Sequence, residues 1–161
     1  MTVSDIMTHK VVSVRDDMQL LDAYRILARH RFDGVPVVDS KARLVGILTE
    51  YDVISKESLV HLSTLQVISA EVHIYKKDAS EWEKEVTKML ALRVRDVMNP
   101  DPLTLPVTAS FTEAVSAFQL HHRVNPIPII DAKRHVVGVI SRFDVLKPLS
   151  MIKKRKHTKK K

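Results

Sequence analysis

The chain carries the same text twice. Leu44-Val-Gly-Ile-Leu-Thr-Glu-Tyr-Asp-Val53 aligns with Val136-Val-Gly-Val-Ile-Ser-Arg-Phe-Asp-Val145, and Val35-Pro-Val-Val-Asp39 aligns with Ile127-Pro-Ile-Ile-Asp131, all 92 residues apart. Upstream, Asp5-Ile-Met7 aligns with Asp96-Val-Met98 and Val12-Ser-Val14 with Leu103-Thr-Leu105, at an offset of 91. One indel near residues 27–30 accounts for the change. The text is a tandem duplication of a unit of roughly 55 residues. A unit of this size, taken alone, buries only about 60% of its unfolded surface and is marginal. The two copies are therefore expected to pack against each other.

Each copy reads as β-α-β-β-α. A short apolar strand (Val11 to Val14; Leu103 to Leu105) leads into a helix whose apolar positions fall at i, i+4, i+7: Leu20, Tyr24 and Leu27, then Phe111, Val115 and Phe118. Two apolar runs, Val35 to Val38 and Leu44 to Leu48, flank the polar turn Asp39-Ser-Lys-Ala-Arg43, and a short helix begins near Thr49. Continuous Val/Ile/Leu strands imply cover on both faces. The expected fold class is α/β, with two tandem repeats related by a pseudo-twofold axis and two equivalent clefts where they meet. The expected division is 1–57 for the first repeat, 58–92 for a helical insert, 93–149 for the second repeat and 150–161 for a basic tail.

Composition narrows the classes. The 161 residues contain no cysteine, which excludes a disulfide scaffold, a thiolate metal site and a cysteine nucleophile. No apolar stretch approaches the roughly 18 residues of a membrane span, and MTVSDIMTHK has no signal-peptide core, so a cytoplasmic location is expected. The net charge of +7 resides in Lys153, Lys154, Arg155, Lys156, Lys159, Lys160 and Lys161; without them the chain balances. That tail is expected to be disordered. Three readings stay open for it: solvation, sequence-independent contact with RNA or DNA phosphates, or contact with an anionic membrane surface.

The glycine-containing strands resemble a known family. The Gly-h-h-Thr/Ser-x-x-Asp signature, the h-Pro-h-h-Asp strand before it and the Asp-h-Met opening are similar to those of tandem CBS (cystathionine-β-synthase) domains, which pair as a Bateman module. The resemblance covers both copies. It implies a non-enzymatic regulatory module that binds AMP, ADP or ATP between the repeats, forms a homodimer and acts on a regulated protein. S-adenosyl compounds and NAD share the ribose and stay open as ligands.

The resemblance places the nucleotide on Ser13, Val35, Pro36, Thr49 and Asp52 in one cleft, and on Thr104, Ile127, Pro128, Ser141, Arg142 and Asp144 in the other. The chemistry is coherent: a carboxylate accepts from two ribose hydroxyls, and a nearby hydroxyl donates to a phosphate. Thr49-x-x-Asp52 and Ser141-x-x-Asp144 are equally helix-capping patterns that need no ligand. Arg142 follows Ser141 where Glu50 follows Thr49, so the second cleft is the stronger expected phosphate site, and the first is expected to take a less phosphorylated ligand or none. In the insert, Ser80-Glu-Trp-Glu83 is a capping box ahead of Trp82, Val86, Met89 and Leu90 at helical spacing. The eight histidines show no metal-binding spacing, and no catalytic motif occurs, so neither a metal nor an enzymatic activity is expected.

Overall fold

The computed structural model describes residues 1–55, 87 and 91–150. The tail and nearly all of the insert, including its capping box, lie outside them. In the first repeat the order is β1 (Val14–Arg15), α1 (Leu20–His30), β2 (Gly34–Val38), β3 (Leu44–Thr49) and α2 (Glu50–Ser55). A short helix α3 (Val94–Val97) precedes the second repeat, which runs β4 (Leu105–Pro106), α4 (Phe111–Leu120), β5 (Ile127–Ile130), β6 (Val136–Ile140) and α5 (Lys147–Ser150). Each repeat forms a three-stranded sheet, β1-β2-β3 or β4-β5-β6, with the first pair parallel and the second antiparallel.

The two sheets are built alike because their turns are alike. Asp39 Oδ1 accepts from the backbone N–H of Lys41 (2.8 Å) and Arg43 (2.9 Å); Asp131 Oδ1 accepts from Lys133 (2.8 Å) and His135 (2.8 Å). The Arg43 amide, chief among several hydrogen bonds, holds the Asp39 carboxyl down at about 2. Ala42 and Arg134 close these turns at φ 60° and 65°.

Helix α1 is rich in Leu, Ala and Arg, which lose little on becoming helical. It stops at Arg31, whose backbone turns left-handed (φ 54°) while its N–H returns to the carbonyls of Ala28 and Leu27. Its buried stripe is Leu20, Ala23 and Leu27; Tyr24, expected inside, is 44% exposed. Helix α4 starts on a Ser110–Glu113 capping box and buries Ala114 and Phe118. The first strands lie three residues later than expected for Val11 and two later than expected for Leu103, because only Val14–Arg15 and Leu105–Pro106 reach the ladder. The last helix of the second repeat is also displaced. Residues 144–146 form a 3-10 turn and α5 begins at Lys147. Pro148 has no N–H to return to the Asp144 carbonyl, and Lys147 bonds it instead.

The repeats exchange their leading arms. Val3, Ile6 and Met7 belong to the core of the second repeat, and Val94 and Val97 to the core of the first. Thr8 pairs with Val139 and, symmetrically, Asn99 with Ile47; Thr2 pairs with Ser110 and Arg93 with Gln19. Val3, Val94 and Val97 are at most 1% exposed, and each such burial stabilises by about 1.5–3 kcal/mol. The aspartates of the Asp-h-Met openings cap these arms: Asp5 accepts from the Thr2 amide at 2.7 Å and Asp96 from the Arg93 amide at 2.8 Å.

The methionines of the same openings lie on the signature glycines, Met98 over Gly46 and Met7 over Gly138. Neither glycine has a positive φ, so both are needed for close approach rather than for an unusual backbone. A Cβ at Gly46 would lie 2.6 Å from Met98 Sδ and 2.8 Å from the Asn99 carbonyl, which Ile47 N–H pins at 3.0 Å. At Gly138 the three nearest atoms all belong to the Met7 side chain, which can rotate away. Gly46→Ala should therefore destabilise by about 1–3 kcal/mol and Gly138→Ala by less. Urea denaturation of both variants checks the order; equal costs would contradict it.

Candidate functional site

Between the repeats lies a cleft of about 220 Å³. Its apolar wall comes from Ile47 on one side and from Pro102, Leu103, Val124 and Pro126 on the other. Its polar end holds Thr49, Asp52, Asn99 and Asn125. Thr49, Tyr51, Arg123 and Asn125 also border a second cavity of about 550 Å³, which adds Asp33, Glu50 and His122.

Thr49 ends β3 and Asp52 stands in the first turn of α2, so the strand-to-helix junction places both at the cleft. Asp52 Oδ2 accepts from the Thr49 amide (2.9 Å) and hydroxyl (2.6 Å). Oδ1 has no hydrogen-bond partner among the described residues. One carboxylate oxygen caps the helix, and the other has acceptor capacity that no described residue takes up.

The symmetry-related position is closed. Asp144 is 6% exposed, and its Oδ2 likewise accepts from the Ser141 amide and hydroxyl, both at 2.7 Å. Its Oδ1 meets Lys147 Nζ at 2.6 Å, and that ammonium also donates to the Ile6 carbonyl of the exchanged arm at 2.8 Å. Burial pushes the Asp144 carboxyl up, but Lys147 and the two Ser141 donors outweigh it and hold it below the ordinary aspartate value.

Arg142, expected beside a phosphate, is held elsewhere. Its guanidinium donates to the carbonyls of His121 and His122 beyond the end of α4 and lies 5.6 Å from the Phe118 ring centre. The carbonyl-bearing end of a helix attracts a cation. The cation at the open cleft is Arg123, which lies 5.6 Å over the Tyr51 ring and donates to its hydroxyl at 3.0 Å. His30-Arg31 recurs as His122-Arg123 in the second copy, and that repetition is the sequence signal that marks Arg123.

Other expected residues lie away from these two cavities. Val35, Pro36 and Ile127 are fully buried, Pro128 is buried beside them, and Ser13 is exposed outside the cavity walls. These strand positions build the cores, so the apolar wall passes to the loop residue Pro126. Thr104 is half-buried, and its neighbours Pro102 and Leu103 face the cleft instead. Asn125 was not anticipated. Its Nδ2 donates to Asp33 Oδ2 at 2.5 Å and its Oδ1 accepts from the Arg142 amide at 3.1 Å, tying the repeats together beside the pseudo-twofold axis. Among the described residues, no group of three or more His, Asp or Glu side chains could hold a metal ion.

This architecture can be compared with known proteins. The CBS domain model matches residues 3–58 and 94–150. The chain belongs to the CBS domain family. It is similar to the chloroplastic CBS domain-containing protein CBSX2 of Arabidopsis thaliana, with 26% identity over 156 residues, 95% of this chain and 65% of that protein. The chain thus spans just under two thirds of that relative's length. The crystal structure of CBSX2 in complex with AMP superposes with a TM-score of 0.69 at 24% identity, covering 95% of this chain and 98% of that one. The CBS domain pair of MJ0100, solved with 5′-methylthioadenosine and S-adenosyl-L-methionine, gives a TM-score of 0.66 at 18% identity, covering 95% and 98%. CBS domains also occur within enzymes: inosine-5′-monophosphate dehydrogenase of Aquifex aeolicus shares 29% identity over 136 residues, 84% of this chain but 22% of its own length. No helix among the described residues is long and apolar enough to cross a membrane.

The closed position of this CBS pair is testable through acid stability. A carboxyl held below its unfolded value contributes stability above the ordinary aspartate range and loses it as pH falls through the lowered folded value. Lys147→Met should cost about 1–3 kcal/mol at pH 7, as expected for hydrogen bonds of a charged group. It should also shrink the stability lost between about pH 5 and pH 2, the range in which such a carboxylate titrates. Urea titrations across that range decide; an acid limb identical to the parent's would rule out the pairing as its source.

Proposed function

We propose that this chain is a non-enzymatic ligand-sensing module that takes an adenosine-containing small molecule in the cleft holding Thr49 and Asp52. The observation that carries the reading is the Asp52 Oδ1 atom, without a partner among the described residues, at the polar end of an apolar cleft. A purine fits between Ile47 and the Leu103 and Pro126 side, and Oδ1 accepts from ribose hydroxyls, leaving Oδ2 in its cap. The 5′ substituent extends past Thr49 into the larger cavity. That CBSX2 has been solved with AMP, and the MJ0100 pair with methylthioadenosine and S-adenosylmethionine, supports an adenosyl ligand for this fold.

One molecule binds per chain, because Lys147 occupies the matching oxygen of Asp144. The cleft walls come from both repeats, so binding acts on their relative placement by as much as the ligand prefers one arrangement over another. That shift is what a regulated partner reads.

Calorimetry with adenosine, AMP and S-adenosylmethionine tests the assignment. At least one should bind with a stoichiometry of one, and a ligand at 100 times its Kd should raise unfolding free energy by about 2.7 kcal/mol. Asp52→Asn should weaken that ligand at least tenfold, about 1.4 kcal/mol, whereas Asp144→Asn should leave it within about twofold, well inside one such tenfold step. The opposite ranking of the two variants would move the site to the other cleft.

A further inference from the structure

The larger cavity is where the ligand's 5′ end arrives, and its walls are charged. Two carboxylates, Asp33 and Glu50, face it with one guanidinium, Arg123, and the imidazole of His122. Asp33 is bonded by the amide of Asn125, which supplies a hydrogen bond but no charge. Arg123 already gives one N–H to the Tyr51 hydroxyl and lies on that ring. Asp52, at the polar end of the adjoining cleft, adds a third carboxylate. Burial raises the Glu50 carboxyl above its ordinary value, and the charges of Asp33 and Asp52 raise it further, against the pull of a backbone N–H. Those couplings place Asp33 and Asp52 each within electrostatic reach of Glu50.

Resting on the reading above, we infer that the site selects adenosine ligands whose 5′ substituent carries positive charge, over those that carry a phosphate chain. A phosphate chain here meets two carboxylates against one partly engaged guanidinium and the His122 imidazole. A sulfonium or ammonium group is attracted by the same carboxylates, and an amino-acid carboxylate on the same substituent can accept from the Arg123 N–H groups that Tyr51 does not take. Like charges set side by side are a means of rejecting a ligand as well as of weakening it. The pseudo-symmetric counterparts of Asp33 and Glu50 are Asn125 and Arg142, so both acids of this vestibule are particular to the first copy.

The test is a set of direct titrations of the full chain at low salt, where exposed charges are least screened, with S-adenosylmethionine, adenosine, AMP and magnesium-free ATP. The expected order is S-adenosylmethionine tightest and ATP weakest, with at least a tenfold gap between them. Glu50→Gln combined with Asp33→Asn should narrow that gap at least fivefold. If ATP binds as tightly as S-adenosylmethionine and still loses affinity in Asp52→Asn, the charge selectivity is wrong and the cleft assignment stands. A gap unchanged in the double variant overturns the role of these two carboxylates. If none of the four ligands binds, the cleft assignment fails and the selectivity falls with it.

Discussion

The exchange of arms is the contact on which the architecture depends. Each arm places a methionine on a glycine of the other repeat, Met7 on Gly138 and Met98 on Gly46, and a backbone pair follows immediately, Thr8 with Val139 and Asn99 with Ile47. Without the arms each sheet would keep its hairpin but lose part of its apolar cover, Val3, Ile6 and Met7 in one core and Val94 and Val97 in the other. Neither repeat is therefore a complete folding unit in chain order. The small size of the unit made mutual packing necessary; crossing of the chain is how that packing is achieved. It also explains why the glycines and the Asp-h-Met openings occur together, since each needs its counterpart in the other copy.

Approximate symmetry makes the departures from it informative. Thr49 and Ser141 cap alike, and Asp52 and Asp144 accept alike through Oδ2. The second oxygen differs in each case, and the cause is local. In the second repeat Pro148 removes a helical hydrogen bond, a 3-10 turn replaces the start of the helix, and Lys147 Nζ comes to 2.6 Å from Asp144. That contact also ties Asp144 to the carbonyl of Ile6, so the closed position secures the incoming arm. In the first repeat α2 starts directly after Thr49, and Asp52 Oδ1 meets no described cation. Equivalent residues thus serve attachment on one side of the axis and an open acceptor on the other.

How much of this was legible in the sequence follows from range. The repeat, the β-α-β-β-α order and the polar turns are local, and periodicity or composition reveals them. The acid-and-hydroxyl pairs were legible as caps for the same reason. Tyr24 was misplaced because i, i+4, i+7 counts only large side chains, and the helix buries Ala23 in its stead. The contacts of the charged residues were not legible, because their partners are remote in the chain. Arg142 turns to the end of α4, some 20 residues back, while Arg123 crosses 72 residues to Tyr51. A strand proline looks like a cleft wall in one dimension, yet Pro36 and Pro128 border neither cavity, and Pro126, itself buried, lines the cleft.

The position of the cleft follows from the arms as well. Asn99, Pro102 and Leu103 continue directly from the segment that carries Met98 onto Gly46, and they line the cleft opposite Ile47 and Thr49. Anything held between Asp52 and Leu103 therefore spans the same boundary that the arm crosses. Asn125 joins that boundary from the other side, bonded to Asp33 of the first repeat and to the Arg142 amide of the second. A ligand there contacts the elements that fix how the repeats are set against each other, with no lid or hinge required. The energy it can transmit is bounded by its differential affinity for the arrangements the arms permit. A well-packed methionine-on-glycine contact permits few, since interiors resist continuous deformation. The contact that completes the fold thus also bounds how far the repeats can shift against each other.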